Sequence, residues 1–259
     1  MKNLFKYIGL SAVLLFSFYY TEKMSSIVIN NSSLVMKINE NSDAYKLEAV
    51  SAVIDDDYII PGLNGQVVNV LKSYDKMKHL DDFHSYYLVF DTIKPDISLE
   101  NNKNKIIKYG NRAKNAVSII VQNNINILNY AKEKKVAITR LVDKDTFDKV
   151  NWYDQINNDP VEYKKVENML NNYNINKNIC VINNHLLEIC KKNKKYLVEP
   201  TITLNSYNLS TFKDDIKSGY IINISDDAEL VDFKIMLRQI YYQDLEVISL
   251  SELIKEERD

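Results

Sequence analysis

The sequence predicts an α/β chain whose main domain is a parallel sheet closed into a shortened or distorted barrel. A small α+β module precedes it, and an apolar transmembrane anchor stands at the N-terminus. Three observations predict this: an uncharged run near the start, a change of patterning at Leu47, and a regular alternation of strand-like and helix-like segments from Ala116 onward. Such alternation implies βα units and parallel pairing.

The anchor is read from MKNLFKYIGLSAVLLFSFYYTEKM, where Lys2 and Lys6 precede an uncharged run from Tyr7 to Tyr20. Alone, that run has the length of a signal-peptide core. With Leu4, Phe5 and a snorkelling Lys6 it reaches about 17 residues, the low end for a span. No small-x-small cleavage site follows and no cysteine offers a lipid anchor. Residues 1–23 therefore read as an uncleaved signal anchor, with a cleaved signal peptide as the alternative. The two lysines place that end in the cytoplasm. The expected location is the cell membrane, single-pass, with the C-terminal domain outside.

Residues 24–46 are polar and weakly patterned and read as a stalk. Residues 47–112 read as a small α+β module and linker. There, EAVSAVIDDDYIIPGLNG gives two strands joined at Asp55–Asp57 and closed by Pro61, Gly62, Asn64 and Gly65. VVNVLKSYDKMKHL has helical spacing, SYYLVFDTI is strand-like, and SLENNKNKIIKYGNRAKN reads as a linker or edge hairpin. Residues 113–259 form the main domain. Its strand-like runs are AVSIIVQ, KVAITRLV, NICVINN, YLVEPTITL, GYIINIS and LEVISL, interleaved with the helical VEYKKVENMLNNY, HLLEICKKN and DAELVDFKIMLRQIYYQ. In the last, Leu230, Phe233, Leu237, Ile240 and Tyr241 fall on one face. An eight-fold barrel would be cramped in this length, and any site belongs at the C-terminal ends of the strands.

The bulk numbers exclude several functions. A net charge of −2 over 259 residues offers no basic footprint for nucleic acid. Glycine occurs only at positions 9, 62, 65, 110 and 219, so neither nucleotide-phosphate loop can be written. Two cysteines are too few for a disulfide framework.

SGYIINISDDAELVDFKIMLRQIYYQDLEVISLSELI resembles the last section of the polysaccharide deacetylase domain (NodB homology, carbohydrate esterase family 4): a glycine-led apolar strand, a long helix, a short strand and a final SEL helix. NAVSIIVQNN sits where that family opens with a strand ending in paired aspartates, and KVAITRLVDKDTF where it has its next strand. PGLNGQVVNVLKSYDKMK and NICVINNHLLEICKKNKKYLVEPTI resemble a membrane-anchored Firmicutes branch of uncharacterised proteins. The resemblance covers Gly62 to the C-terminus. It implies a NodB-type barrel and metal-assisted hydrolysis of an amide or ester, with an aspartate and a His-x-x-x-His pair on the ion, an aspartate base and a late histidine acid.

The residues depart from that implication. The paired aspartates fall at Gln122 and Asn123, no histidine lies between His84 and His185, and the late histidine is Ser225. Asp226 remains, and no catalytic residue is convincing; the weak candidates are Asp226, Ser225 and His185. Asp226 also forms a D-x-x-E box with Glu229 and reads as the cap of the long helix, with Ser225 beside it as a cleft-edge hydroxyl. His185, Glu188 and Cys190 do not share a helical face, and His79 and His84 lie outside the barrel. Cys180 and Cys190 read as buried thiols, with a disulfide across the strand end as the alternative. Lys191–Lys195 reads as a solvated helix end, or as a contact for anionic wall polymer or lipid head groups. Trp152, Tyr153, Tyr163, Tyr173 and Tyr207 could stack on sugars, although most of the 18 tyrosines must be ordinary half-buried surface.

The expectation is a catalytically degenerate, deacetylase-like envelope protein that binds wall glycan or a protein partner. No cofactor, nucleic acid or nucleotide is expected. The alternative is an active deacetylase with relocated zinc ligands from Asp143, Asp145, His185 or Asp226. In a third reading the module at 47–99 carries an assembly function.

Overall fold

The structure is a computed structural model that describes residues 11–20, 32–80, 82–149, 152–175, 177–206 and 216–258. The anchor expected over 1–23 lies mostly outside these, as does Tyr207. Residues 11–20 are helical, and among the described residues no helix is long and apolar enough to cross a membrane. The chain divides into two compact units, Met1–Glu48 with Gly65–Ile93 and Ala49–Asn64 with Lys94–Asp259.

Helix α1 (Ser33–Ser42) occurs within the polar stretch. The Ser32 hydroxyl accepts from the Val35 N–H at 3.2 Å, and Leu34, Val35 and Ile38 form its buried stripe. The chain next contributes β1 (Val53–Asp55) and β2 (Tyr58–Ile60), an antiparallel hairpin of the larger unit that turns at Asp56 with φ 48°. Gly62 follows, where a Cβ would lie 2.1 Å from the Val50 carbonyl oxygen, so only glycine fits. β3 (Gly65–Val68), α2 (Val70–Met77) and β4 (Phe90–Ile93) complete the smaller unit, with β3 and β4 antiparallel. Its core is Leu34 and Ile38 of α1 against Val68 and Met77.

The larger unit continues with β5 (Ile106–Ile107), β6 (Ala116–Val121), α3 (Ile125–Lys134), β7 (Thr139–Val142), β8 (Asp154–Asn157), α4 (Tyr163–Asn172), β9 (Ile179–Val181), α5 (Leu187–Lys192), β10 (Tyr196–Val198), β11 (Ile202–Leu204), β12 (Ile221–Ile224), α6 (Leu230–Tyr242), β13 (Glu246–Val247) and α7 (Leu250–Ile254). One sheet is parallel throughout, in the order β11-β12-β6-β7-β8, with β13 pairing the start of β6. The other runs β1-β2-β5-β10-β9, with only β1 and β2 antiparallel. The expected mixed α/β fold with a parallel sheet is therefore present.

All six residues of β6 are buried, as a strand covered on both faces requires. Side chains of both sheets share one core, in which Ile59, Ile107, Ile120, Leu141, Ile156, Val181 and Val198 meet Leu250, Leu253 and Ile254 of α7. On the outer face of the all-parallel sheet, α3 and α6 pack through Ile127, Leu128, Phe233, Met236 and Ile240. Helix α7 closes the N-terminal ends of the strands: the Leu250 N–H donates to the Thr139 hydroxyl at 2.8 Å and the Ser251 N–H to the Asp154 carboxylate at 3.3 Å.

Several local expectations are corrected. SLENNKNKIIKYGNRAKN is neither linker nor edge hairpin, because Ile106 and Ile107 form a central strand between β2 and β10. YLVEPTITL is two strands in different sheets, separated at Pro200, which cannot donate to a ladder. Cys180 and Cys190 are not free thiols: they are bonded, with Cα atoms 6.2 Å apart, because α5 folds back over the end of β9. Lys195 is not solvated. Its ammonium lies 2.7 Å from the Glu167 carboxylate, both side chains being largely buried.

Candidate functional site

In an open parallel sheet the loops after the strands form the natural site. Here β12, β6, β7 and β8 deliver Ser225–Asp227, Gln122–Asn124, Asp143–Asp145 and Asn158–Asp159 to one edge. Of the residues singled out in the sequence, the structure brings Asn123 and Asp226 together: the Asn123 N–H donates to the Asp226 carboxylate at 3.4 Å. Asp226 does not cap the long helix. Residues 225–228 make a further turn, closed by the Ala228 N–H on the Ser225 carbonyl at 3.2 Å, so α6 starts after Glu229 with no side-chain cap. The D-x-x-E spacing therefore falls on that turn and not on the first turn of the helix.

The Ser225 hydroxyl has a partner within its own turn. It donates to the Asp227 carboxylate, which also accepts from Ser206 at 3.0 Å. These two hydroxyls, Ser225 first, hold the Asp227 carboxyl below its ordinary range. Asn124 was not singled out in the sequence, yet it joins the two turns. Its side-chain oxygen accepts from the Ile127 N–H at 3.2 Å to cap α3, and its amide donates to the Ala228 carbonyl at 2.8 Å. The available signal was an asparagine just ahead of the helical run INILNYAKEK.

Further along the edge the polar groups are likewise committed to the backbone. Asp143 accepts from the Thr146 hydroxyl and N–H, both at 2.8 Å, and from the Asp145 N–H at 2.9 Å. Burial pushes its carboxyl up, but these bonds outweigh burial and hold it below the usual value. Asp159 accepts from the Val161 and Glu162 N–H groups at 2.9 and 2.7 Å. His185 is exposed at the end of β9, its N–H on the Asn183 side chain at 2.9 Å. It does not join Glu188 and Cys190 in a ligand set, because Glu188 pairs with Lys191 at 3.3 Å and Cys190 is in the disulfide.

The family the sequence resembles implies a divalent metal, and the donors at this edge do not fit one. Asn123 and Gln122 are neutral amides, Ser225 is a hydroxyl, and the Asp143 and Asp227 oxygens already accept two or more hydrogen bonds. Among the described residues no three His, Cys, Asp or Glu side chains group closely enough to hold an ion. What the edge does offer is a depression of about 420 Å³ lined by Asn123, Asn124, Ile125, Asn126, Asp226 and Glu229. Its amide donors, carboxylate acceptors and one exposed apolar side chain suit hydroxyl- and amide-rich ligands rather than proton transfer.

A second cavity, of about 370 Å³, lies at the opposite end of the strands between Leu99, Ile179, Tyr196 and Ile254. Burial pushes the Glu256 carboxyl there upward, against the pull of the Leu99 and Gly62 N–H groups. Leu99 donates to it at 3.0 Å.

No family model matches the chain. A stretch of 97 residues is 30% identical to the uncharacterized protein YlxY of Bacillus subtilis (strain 168), covering 37% of this chain and only 30% of that relative's length. Among solved structures, BA3943, a CE4 family pseudoenzyme from Bacillus anthracis, matches 88% of this chain and 97% of its own at 17% identity and a TM-score of 0.56. A mutant of BA3943 with restored enzymatic activity matches 88% of this chain and all of its own at 18% identity and a TM-score of 0.57. The fold of this chain is that of the carbohydrate esterase family 4 polysaccharide deacetylases, among whose solved structures pseudoenzymes stand beside it.

Proposed function

We propose that the chain is a catalytically degenerate, deacetylase-like protein of the cell envelope, held at the membrane by its N-terminal apolar segment, that binds N-acetylated glycan at the C-terminal edge of its parallel sheet. One observation carries this reading: the carboxylate of Asp226 is engaged by the N–H of Asn123, at the place where the resembled family sets an acid-orienting pair of imidazole and carboxylate. Position 225 is serine, so no imidazole stands beside that carboxylate to be oriented as an acid, and its remaining acceptor sites are open to ligand hydroxyls. The fold likeness to a CE4 pseudoenzyme supports the scaffold of this reading. No observation favours the relocated metal site, since Asp143 is committed to its own turn and His185 stands at a different strand end.

The test is calorimetric titration of the full-length chain with N-acetylglucosamine oligomers. Saturable binding that weakens at least tenfold in Asp226→Ala and Asn126→Ala supports the proposal. Binding that is absent, or unchanged in both variants, overturns it.

A further inference from the structure

Helix α4 packs on β8 and Val142 at the edge of the all-parallel sheet, α5 packs on β10 of the other sheet, and a groove of about 950 Å³ lies between the two helices. Its walls are fixed on both sides. The Cys180–Cys190 bond ties α5 to β9, and the buried Glu167–Lys195 pair ties α4 to the segment leading into β10. Glu167 also accepts from the Asn157 amide at 3.1 Å. A groove so held costs little to order when a ligand enters it.

Charge gives the groove its character. Lys164, Lys165 and Lys192 line it, all exposed, and their ammonium groups make no ion pair with any described residue. The single acidic residue in the lining, Glu162, is paired with Lys144 at 3.8 Å. This is a concentration of unneutralised positive charge on a chain whose net charge is −2. On α4, Lys164, Asn168 and Asn172 succeed one another at four-residue spacing, a row of donors stepping about 6 Å along the helix. The floor is apolar, formed by Met169 and Ile189.

From this we infer that the groove between α4 and α5 binds an extended phosphate polymer, a linear chain whose repeating anionic oxygens meet Lys164, Lys165 and Lys192 while its less polar links lie on Met169 and Ile189. The ammonium groups supply point charges for phosphate, and the row along α4 rewards repetition over a single ion. This site lies on a different face from the strand-edge depression and stands independently of the glycan reading.

The test is binding of inorganic polyphosphate to the full-length protein, followed by calorimetry at low and moderate salt. The triple variant Lys164→Gln, Lys165→Gln, Lys192→Gln is compared with Lys72→Gln, Lys76→Gln, Lys78→Gln, which removes equal charge from exposed positions on and next to α2. The inference expects at least a tenfold loss of affinity in the groove variant, less than twofold in the control, and a shallower salt dependence for the groove variant alone. Equal losses in both variants, or no binding at low salt, overturn it. Polyglutamate binding as tightly as polyphosphate overturns the assignment of phosphate.

Discussion

The two ends of the parallel strands are built on different principles. At the N-terminal ends, Leu250, Leu253 and Ile254 of α7 are buried in the shared core, and the Thr139 hydroxyl and Asp154 carboxylate receive the first N–H groups of that helix. At the C-terminal ends almost every polar side chain serves its own turn: Asp143 with Thr146, Asp159 with Glu162, Asn124 with Ile127, Ser225 with Asp227. The first end holds the fold through burial; the second is a row of turns satisfied mostly from within, with Asn124 tying the turn after β6 to the turn after β12. A scaffold of this kind can lose the chemistry at one end without loosening the other, which is why fold alone does not imply activity.

This contrast predicts unequal costs of mutation. The largest effect is expected for Glu167→Ala, which removes the carboxylate counter-ion of the buried Lys195 ammonium, leaving its bond to the Lys177 carbonyl, and should cost about 4 kcal/mol in chemical denaturation. Leu253→Ala should follow at about 3 kcal/mol, because a side chain with no exposed surface leaves a cavity in the shared core. Asp226→Ala, at the other end, should stay within about 0.5 kcal/mol, since it removes one long, exposed hydrogen bond. A loss above that of Leu253→Ala would erase the distinction.

The smallest effects concern pH, and they run in opposite directions. Glu256, at the N-terminal end, holds its proton more tightly when folded than when unfolded. Its contribution is therefore present at low pH and declines as pH rises above the ordinary value of 4.5. Asp143, at the C-terminal edge, is depressed, so its contribution is present above the ordinary 3.8 and is lost as pH falls through the folded value. Melting temperatures across this range should show Glu256→Gln flattening the alkaline side and Asp143→Asn the acid side. The same response from both variants would mean that the two ends are coupled.

Much of the scaffold was legible in the sequence. The apolar run of β6, the glycine-led β12 and the one-faced pattern of α6 each carry a strong local signal, and together they implied parallel pairing. What escaped lacks such a signal. Strand β5 is two residues long and takes its state from its neighbours β2 and β10. Strand β8 reads DQIN, and its polar residues look like a loop until Asn157 and Gln155 find partners at 2.9 Å on the Tyr163 carbonyl and 2.7 Å on the Asp148 carbonyl. Lys195 belonged to a run that reads as solvated, and only tertiary packing brings Glu167 to it. At the site, the missing histidines were visible as residue types. The turn that takes Asp226 away from the helix start depends on hydrogen bonds that spacing does not encode.

The central proposal is that the C-terminal edge holds no catalytic ion. Its most direct test is the zinc content of the full-length protein, purified without a polyhistidine tag, equilibrated with zinc and freed of unbound metal. The account predicts zinc near zero per chain, unchanged in Asp226→Ala. One tightly held zinc per chain, lost in Asp226→Ala or His185→Ala, would contradict it and return this edge to catalysis.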